Sequence, residues 1–472
     1  MDAYPLILTV VVVTVVGLVA AWNDKAYSLE EGILGLVIIA FSFHSTSRWL
    51  VLRKKGMPFV EMYSFVVGLY YGLPMIAGMN GVFGKFVINH EFRVRTGLAV
   101  LASLVVTLAA YTWSKGAVRL KENSIAPKEI PLRMATFIFQ AFLALSTVYN
   151  ILFQIGVVQP LLGGFQATMN ILLTNVMGTV SSYVLFRLIG EKKLSRRQTV
   201  FTAGSMLISV LVILNGLMLV NVVLWVFPAL LGFTLGRGRV PIKMVILVVS
   251  VVALLSIGKG TARNIHWGSR INSVGDIYNR LVDWTNISLQ AFQMDSDANT
   301  FVLADRINFS GVLGMVIQRT PDEVPFIGGT TYAMLPSMIV PRFLWPEKPD
   351  GHAATIYLGV HYGVHTIDEV IMTSIGIGLL GEAYANFGFT GVFVFSGLLG
   401  WVLGHAHRMD ARAPPLSVRS FFLVGLLSSV TKIEFALVEI IIPLVQIVAM
   451  LLLIYGWLVR RRQIPRRLPG YA

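Results

Sequence analysis

Apolar residues run along this chain in blocks about as long as a bilayer is thick, with short polar segments between them. A helix rising about 1.5 Å per residue needs roughly 20 apolar residues to cross the hydrocarbon core. That ruler places spans near Tyr4 to Trp22, Gly32 to Leu52, Pro58 to Met79, Thr96 to Trp113, Met134 to Val158, Met169 to Ile189, Thr199 to Leu214, Leu217 to Leu235, Val240 to Ile257, Phe387 to Leu403, Phe421 to Val430 and Phe435 to Val459. The pattern predicts an all-α polytopic membrane protein of about 12 transmembrane helices, a single integral membrane domain.

One long interruption, 259–370, divides it into a nine-span scaffold (1–258), a large loop and the C-terminal spans (371–472). Within the loop, the apolar stretches Phe301 to Phe309 and Val312 to Ile317 are too short to span. They predict amphipathic helices lying on or dipping into the interface. The loop holds eight Lys or Arg against eleven Asp or Glu, so it is slightly acidic. The exits of the even-numbered spans are basic instead: Arg48 with Arg53 to Lys55, Lys115 to Arg133, Arg187 to Arg197, Arg237 to Lys243, Arg408 to Arg419, and the tail from Arg460. Under the positive-inside rule both termini are cytoplasmic and the large loop faces out. The first apolar run has neither a basic leader before it nor a small-residue cleavage site after it, and reads as a retained helix.

Composition narrows the chemistry. At 55% hydrophobic, 13% charged and a mean hydropathy of +0.72 the chain is too apolar for a soluble protein. Its net charge of +14 sits largely in the segments between spans, so it reports topology, and no nucleic-acid partner is expected. Having no cysteine, the chain has no disulfides, thiolate metal sites or cysteine nucleophiles. Any catalysis falls to Arg, Lys, His, Asp, Glu, Ser or Tyr.

Exterior arginines beside a membrane cavity suit the binding of a pyrophosphate, because the guanidinium is permanently charged and its forked donors match two phosphate oxygens. Of the six loop arginines two stand out. Arg306 lies in the mainly apolar FVLADRINFSG, with Asp305 as its neighbouring alternative partner, and Arg342 follows Pro341 in PRFLWPEKP. Arg270, Arg280 and Lys348 are further candidates. Glu382, preceded by Gly376, Gly378 and Gly381, is the carboxylate best placed to act as a general base or as a structural partner for an arginine. TKIEF places Lys432 and Glu434 between two apolar runs, with Glu439 and Pro443 following: either an outer turn with an ion pair, or a broken helix lining the same cavity as Glu382. His361 and His365 are four apart, but Gly359 and Gly363 weaken the helix and no third ligand accompanies them, so no metal site is expected; His361 remains a candidate for proton handling or sugar binding. FIGGTTY (Phe326 to Tyr332) carries no phosphate-loop pattern and reads as a turn.

PRFLWPEKP (Pro341 to Pro349), followed by GEAYANFGFTG (Gly381 to Gly391) and preceded by the Arg306–Asn308 neighbourhood, resembles the Wzy-type repeat-unit polymerases of bacterial O-antigen and exopolysaccharide assembly. The resemblance implies a GT-C-like helical fold with a groove beneath a periplasmic loop, in the bacterial inner membrane. It implies transfer of a growing glycan from undecaprenyl diphosphate to a new lipid-linked repeat unit, without nucleotide, metal or other cofactor. It makes Arg306 and Arg342 catalytic, with Glu382 as acceptor activator or structural partner. Arg270, Arg280 and Lys348, with His361, Lys432 and Glu434, would bind substrate and pyrophosphate. A chain-length regulator is an implied partner. Two alternatives stay open: an O-antigen-ligase-like transferase, and a flippase of lipid-linked oligosaccharide. A transporter should carry polar groups at the midplane of both halves. The first nine spans read as nearly free of charge, which favours an enzyme.

Overall fold

The computed structural model describes residues 3–22, 28–51, 56–79, 81–116, 129–162, 165–294, 307–340, 344–349, 351–367 and 375–462. They fold into helices α1 (Ala3–Trp22), α2 (Leu29–Val51), α3 (Phe59–Ile76), α4 (His90–Gly116), α5 (Leu132–Gln154), α6 (Thr168–Gly190), α7 (Arg196–Leu214), α8 (Leu219–Arg237) and α9 (Ile242–Ile257). Then come α10 (Lys259–His266), α11 (Val274–Met294), α12 (Phe309–Arg319), α13 (Ala353–His361), α14 (Gly378–Asp410), α15 (Val418–Val430) and α16 (Leu437–Arg462). Among the described residues the sheet is one small hairpin, β1 (Gly81–Val82) and β2 (Phe86–Val87), with Gly81 opposite Val87.

Eight of these helices, α2 to α8 and α14, are long and apolar enough to cross a membrane; α9 with α10, bent by 59°, makes a ninth. The chain is therefore a membrane-embedded, all-α protein. Shorter apolar segments, Tyr4–Gly17, Val418–Val430 and Leu437–Ala449, fall where the remaining spans are expected.

Small residues fix the two most extensive helix pairings, α14 on α4 and α8 on α6. On α14, Gly400 and Gly404 face the backbone of Thr107 and Tyr111, and a Cβ at either would collide with α4. On α8, Gly232 and Gly236 lie against the carbonyls of Tyr183 and Arg187 in the same way. Both are small-xxx-small stripes, which let apolar helices approach in the absence of a hydrophobic driving force between them. Hydroxyls add to the first seam: Ser103 meets Ser396 at 2.8 Å, and the Ser114 hydroxyl donates to the Trp401 carbonyl at 3.1 Å.

The connections sort into two ends. At one, the Ile130 N–H donates to the Leu416 carbonyl at 3.0 Å and the Met57 N–H to Asp410 Oδ2 at 2.6 Å. At the other, Asn308 Nδ2 donates to the Gly81 carbonyl at 2.8 Å, and Lys85 Nζ to that of Val364 at 3.0 Å. Among the described residues, Arg187, Lys193 and Glu191 lie with Leu132 and Leu416 at the first end, with Lys192, Arg237 and Arg239 beside them, and the described part of the large loop from Asn308 meets the second. Part of that loop goes inside: α12 is buried from Phe309 to Ile317 and wedges against α4 and α14. The expected interfacial segment Val312 to Ile317 thus enters the bundle, because it is apolar on every face. Residues 301–306 lie outside the described residues.

The first spans are not as free of charge as expected. Glu31 is 3% and Glu61 8% exposed, and Glu31 is neutralised by Arg93 Nε at 2.9 Å.

Candidate functional site

The site begins with glycines. Gly376 lies against the Glu434 carbonyl so closely that a Cβ would collide with it, and Gly378, at φ +77°, sits against the Ile433 carbonyl and the Phe309 ring. The Leu379 N–H donates to that same Ile433 carbonyl at 3.0 Å. The run IGIG therefore lies directly on the TKIEF turn, a contact only residues without side chains allow.

α14 opens at this contact, and its second turn carries Glu382, which is 0% exposed. One carboxylate oxygen, Oε2, accepts the N–H of Leu437 at 2.7 Å. Leu437 is the first residue of α16, whose leading N–H groups lack helical partners and carry the positive end of the helix dipole. Glu382 thus caps α16 from another helix. The Thr331 hydroxyl lies beside the same carboxylate. Oε1 is buried and makes no hydrogen bond of standard geometry among the described residues.

One turn further on, Asn386 ties the FIGGTTY loop to α14. Its Oδ1 accepts the Gly329 N–H at 2.8 Å, and its Nδ2 donates to Thr331 Oγ1 at 2.9 Å and to the Glu382 carbonyl at 2.8 Å. The Ile327 N–H donates to the Ala385 carbonyl at 3.0 Å. The last of these satisfies a carbonyl that a continuous helix would have paired, because α14 breaks at once: Phe387 and Gly388 leave helical geometry, Gly388 at φ +62°. Glu382 and Asn386 therefore sit on a short, wholly buried segment that ends inside the protein.

The TKIEF turn supplies the remaining charges. Burial pushes the Lys432 ammonium down, against the pull of Glu439 and Glu434. Burial pushes the Glu434 carboxyl up, against Lys259 and Lys432 and with Glu439 adding to it. Glu439 is held by Thr355 Oγ1 and by His352 Nδ1 at 3.1 Å. Tyr332, raised by burial and then by the charge of Glu382, lies at the edge with its ring 6.2 Å from Phe387. Glu382, Glu434, Glu439 and Lys432 thus share one buried region, with Lys259 acting on Glu434 and the exposed His352 on Glu439, while Glu382 is held by a helix N-terminus rather than by a cation.

The structure brings the TKIEF turn that carries Lys432 and Glu434 onto the start of the helix that carries Glu382. The other candidates lie elsewhere. Arg280 donates to the Ser269 carbonyl at 2.9 Å, to Ser269 Oγ at 2.7 Å and to the Asn215 carbonyl at 3.3 Å, fastening α11 to the turn after α7. Arg270 is exposed. Lys348 Nζ donates to the carbonyls of Met338 at 3.0 Å and Val340 at 2.7 Å, and Met338 packs on Ala436 and Val438 beside the site. His361 lies with Nε2 3.1 Å from the Pro325 carbonyl and its ring stacked 5.7 Å from Tyr357. His365 folds back beneath Gly359, so these two histidines do not share a helix face. Arg306 and Arg342 lie outside the described residues, as does Asp305. Asn308, near Arg306 in sequence, caps α12 by accepting the Gly311 N–H at 2.9 Å.

Sequence reasoning missed Asn386, Thr331 and Thr355, which are short, uncharged and unremarkable in composition. For Asn386 the available signal was a polar side chain one helical turn after Glu382 in an otherwise apolar run.

Residues 136–408 match the family described as Domain of unknown function (DUF8712), and because that is more than half of the chain, the chain belongs to this family. No curated protein and no solved structure matches it.

Proposed function

With membership of this family of unknown function as the premise, we propose that the protein is a membrane glycosyltransferase that polymerises repeat units carried on undecaprenyl diphosphate. The observation that carries the reading is Glu382: a fully buried carboxylate with one oxygen fixed on the α16 N-terminus and the other without a standard hydrogen bond, beneath the large loop. A carboxylate held in that way is oriented to accept a proton from a hydroxyl brought to its unused oxygen. In the proposed step, the acceptor sugar hydroxyl gives its proton to Glu382 as its oxygen attacks the anomeric carbon of the donor. The bond from that carbon to the diphosphate breaks, and undecaprenyl diphosphate leaves with the electron pair. Arg306 and Arg342 are the groups proposed to hold that leaving charge. Lys432 and Glu434 keep the carboxylate cluster compensated, and Lys348 and His361 fasten the loop layer that would cover the sugars. Arg270 and Arg280 are assigned to the outer rim.

The same reading places the protein in the bacterial inner membrane, with twelve spans, cytoplasmic termini at the basic end, and the loop-covered end in the periplasm. A chain-length regulator would act as partner. The ligase reading shares the donor step and differs only in acceptor.

A second class, transport of the lipid-linked oligosaccharide, is favoured by the break in α14 and the bend between α9 and α10, since discontinuous helices mark transporter sites. Purified protein given only its lipid-linked repeat unit separates the readings. A product ladder rising by whole repeats supports the polymerase. Passage of the intact unit across a vesicle membrane with no ladder refutes it in favour of transport.

A further inference from the structure

At the basic end, α6 and α8 finish side by side. A Cβ at Gly190 would lie 2.7 Å from the Phe233 carbonyl and 2.9 Å from the Arg237 N–H, so the two helix ends are held in close approach. The chain leaves α6 through Lys192, which has φ +56° and donates its N–H to the Ile189 carbonyl at 3.0 Å, with the Lys193 N–H reaching the Leu188 carbonyl at 2.9 Å. This helix-ending turn normally takes glycine, as it does at the end of α8, where Gly238 has φ +71°. A lysine there is strained, and strain of this kind persists where the side chain has a use.

Between the two ends lies a hollow of about 400 Å³ lined by Gly190, Glu191, Lys192, Gly236, Arg237 and Arg239. The one carboxylate, Glu191, is already engaged by Arg187 Nε at 3.1 Å and Lys193 Nζ at 2.7 Å. Lys192, Arg237 and Arg239 are exposed and form no salt bridge among the described residues. Complementing the helix dipole explains Arg237 in the last turn of α8. It explains neither a lysine in a left-handed turn nor Arg239 beyond the helix. Because two spans end here, the hollow lies at the level where membrane gives way to water. α9 begins just after Arg239, and its Ile242, Ile246 and Val249 are exposed, an apolar face that the chain reaches within a few residues of the hollow.

We propose that this hollow binds the phosphate of an anionic phospholipid, with Lys192, Arg237 and Arg239 around the headgroup and the acyl chains along α9. Basic pockets between span ends, bordered by lipid, suit that ligand: three cations without a carboxylate partner, one of them over the Phe233 ring, attract a net negative headgroup, and the apolar wall holds its tails. The inference is independent of the reaction proposed for the other end.

The test uses the full-length protein in uncharged detergent, with native mass spectrometry against phosphatidylglycerol, phosphatidylcholine and inorganic phosphate. Phosphatidylglycerol should bind in preference to phosphatidylcholine, and the combined variant Lys192→Gly, Arg237→Gln, Arg239→Gln should weaken it by roughly a hundredfold. Lys192→Gly alone should raise the melting temperature without lipid, because the turn relaxes, while lowering phosphatidylglycerol occupancy; that opposition separates a ligand role from misfolding. Equal occupancy of variant and wild type, equal binding of phosphatidylcholine, or binding of inorganic phosphate with no lipid at all would each overturn the proposal.

Discussion

The two ends of this bundle use the same kinds of residue in opposite ways. At the loop-covered end Glu382, Lys432, Glu434 and Glu439 are drawn inward, and their charges are met by one another, by Lys259 and by a helix terminus. At the basic end Lys192, Arg237 and Arg239 stand outside and meet no carboxylate among the described residues. Buried charges persist only in mutual compensation, so changing one disturbs the rest. Surface cations keep their water, and changing one alters little besides what binds there.

The contrast breaks most sharply at Glu382. Glu382→Gln keeps an oxygen to accept the Leu437 N–H but removes the base; we expect polymer formation to fall by about 10²- to 10⁴-fold with protein level unchanged, read from the product ladder. Poor accumulation of this variant would instead assign Glu382 to structure alone. Gly404→Leu should act on the fold, since its side chain would drive into the α4 backbone; loss of detergent-stable protein in size-exclusion chromatography is the expected result, and normal yield would contradict the packing described.

Asn386→Ala removes three hydrogen bonds and leaves the half-buried Gly329 N–H without its acceptor. That should cost about 1 to 3 kcal/mol, visible as a lowered melting temperature and as proteolytic cleavage near the FIGGTTY loop. The Glu434 carboxyl lies above its ordinary value of 4.5 because burial disfavours its charge. A raised folded-state value contributes stability that is full below the unfolded value and is lost as pH rises through the folded one. Melting temperature should therefore decline as pH climbs from 4.5 through that raised range, and Glu434→Gln should flatten the slope; an unchanged slope would remove the group from the buried set. At the basic end the smallest effect is expected. Ser195 and Gln198 form a reciprocal cap on α7, and Ser195→Ala should cost about 1 kcal/mol with activity intact.

Much of the fold was legible because the membrane imposes a one-dimensional rule. Apolar length gave the helices from α2 to α9. Legibility failed where burial depends on partners distant in sequence. Val312 to Ile317 reads the same whether it lies on an interface or inside a bundle, and only its fit against α4 and α14 decides. Glu31 is buried in an ion pair with Arg93, a residue 62 positions away in the chain.

The sequence by itself determined that the protein is helical and membrane-embedded, since both follow from composition and apolar length. Only the tertiary structure decided that Glu382 caps α16, that IGIG lies on TKIEF, that Asn386 ties the FIGGTTY loop to α14, and that Lys192, Arg237 and Arg239 surround one hollow. These contacts join residues tens or hundreds apart in the chain, and their geometry is set by side-chain volume and backbone approach, which no linear pattern records.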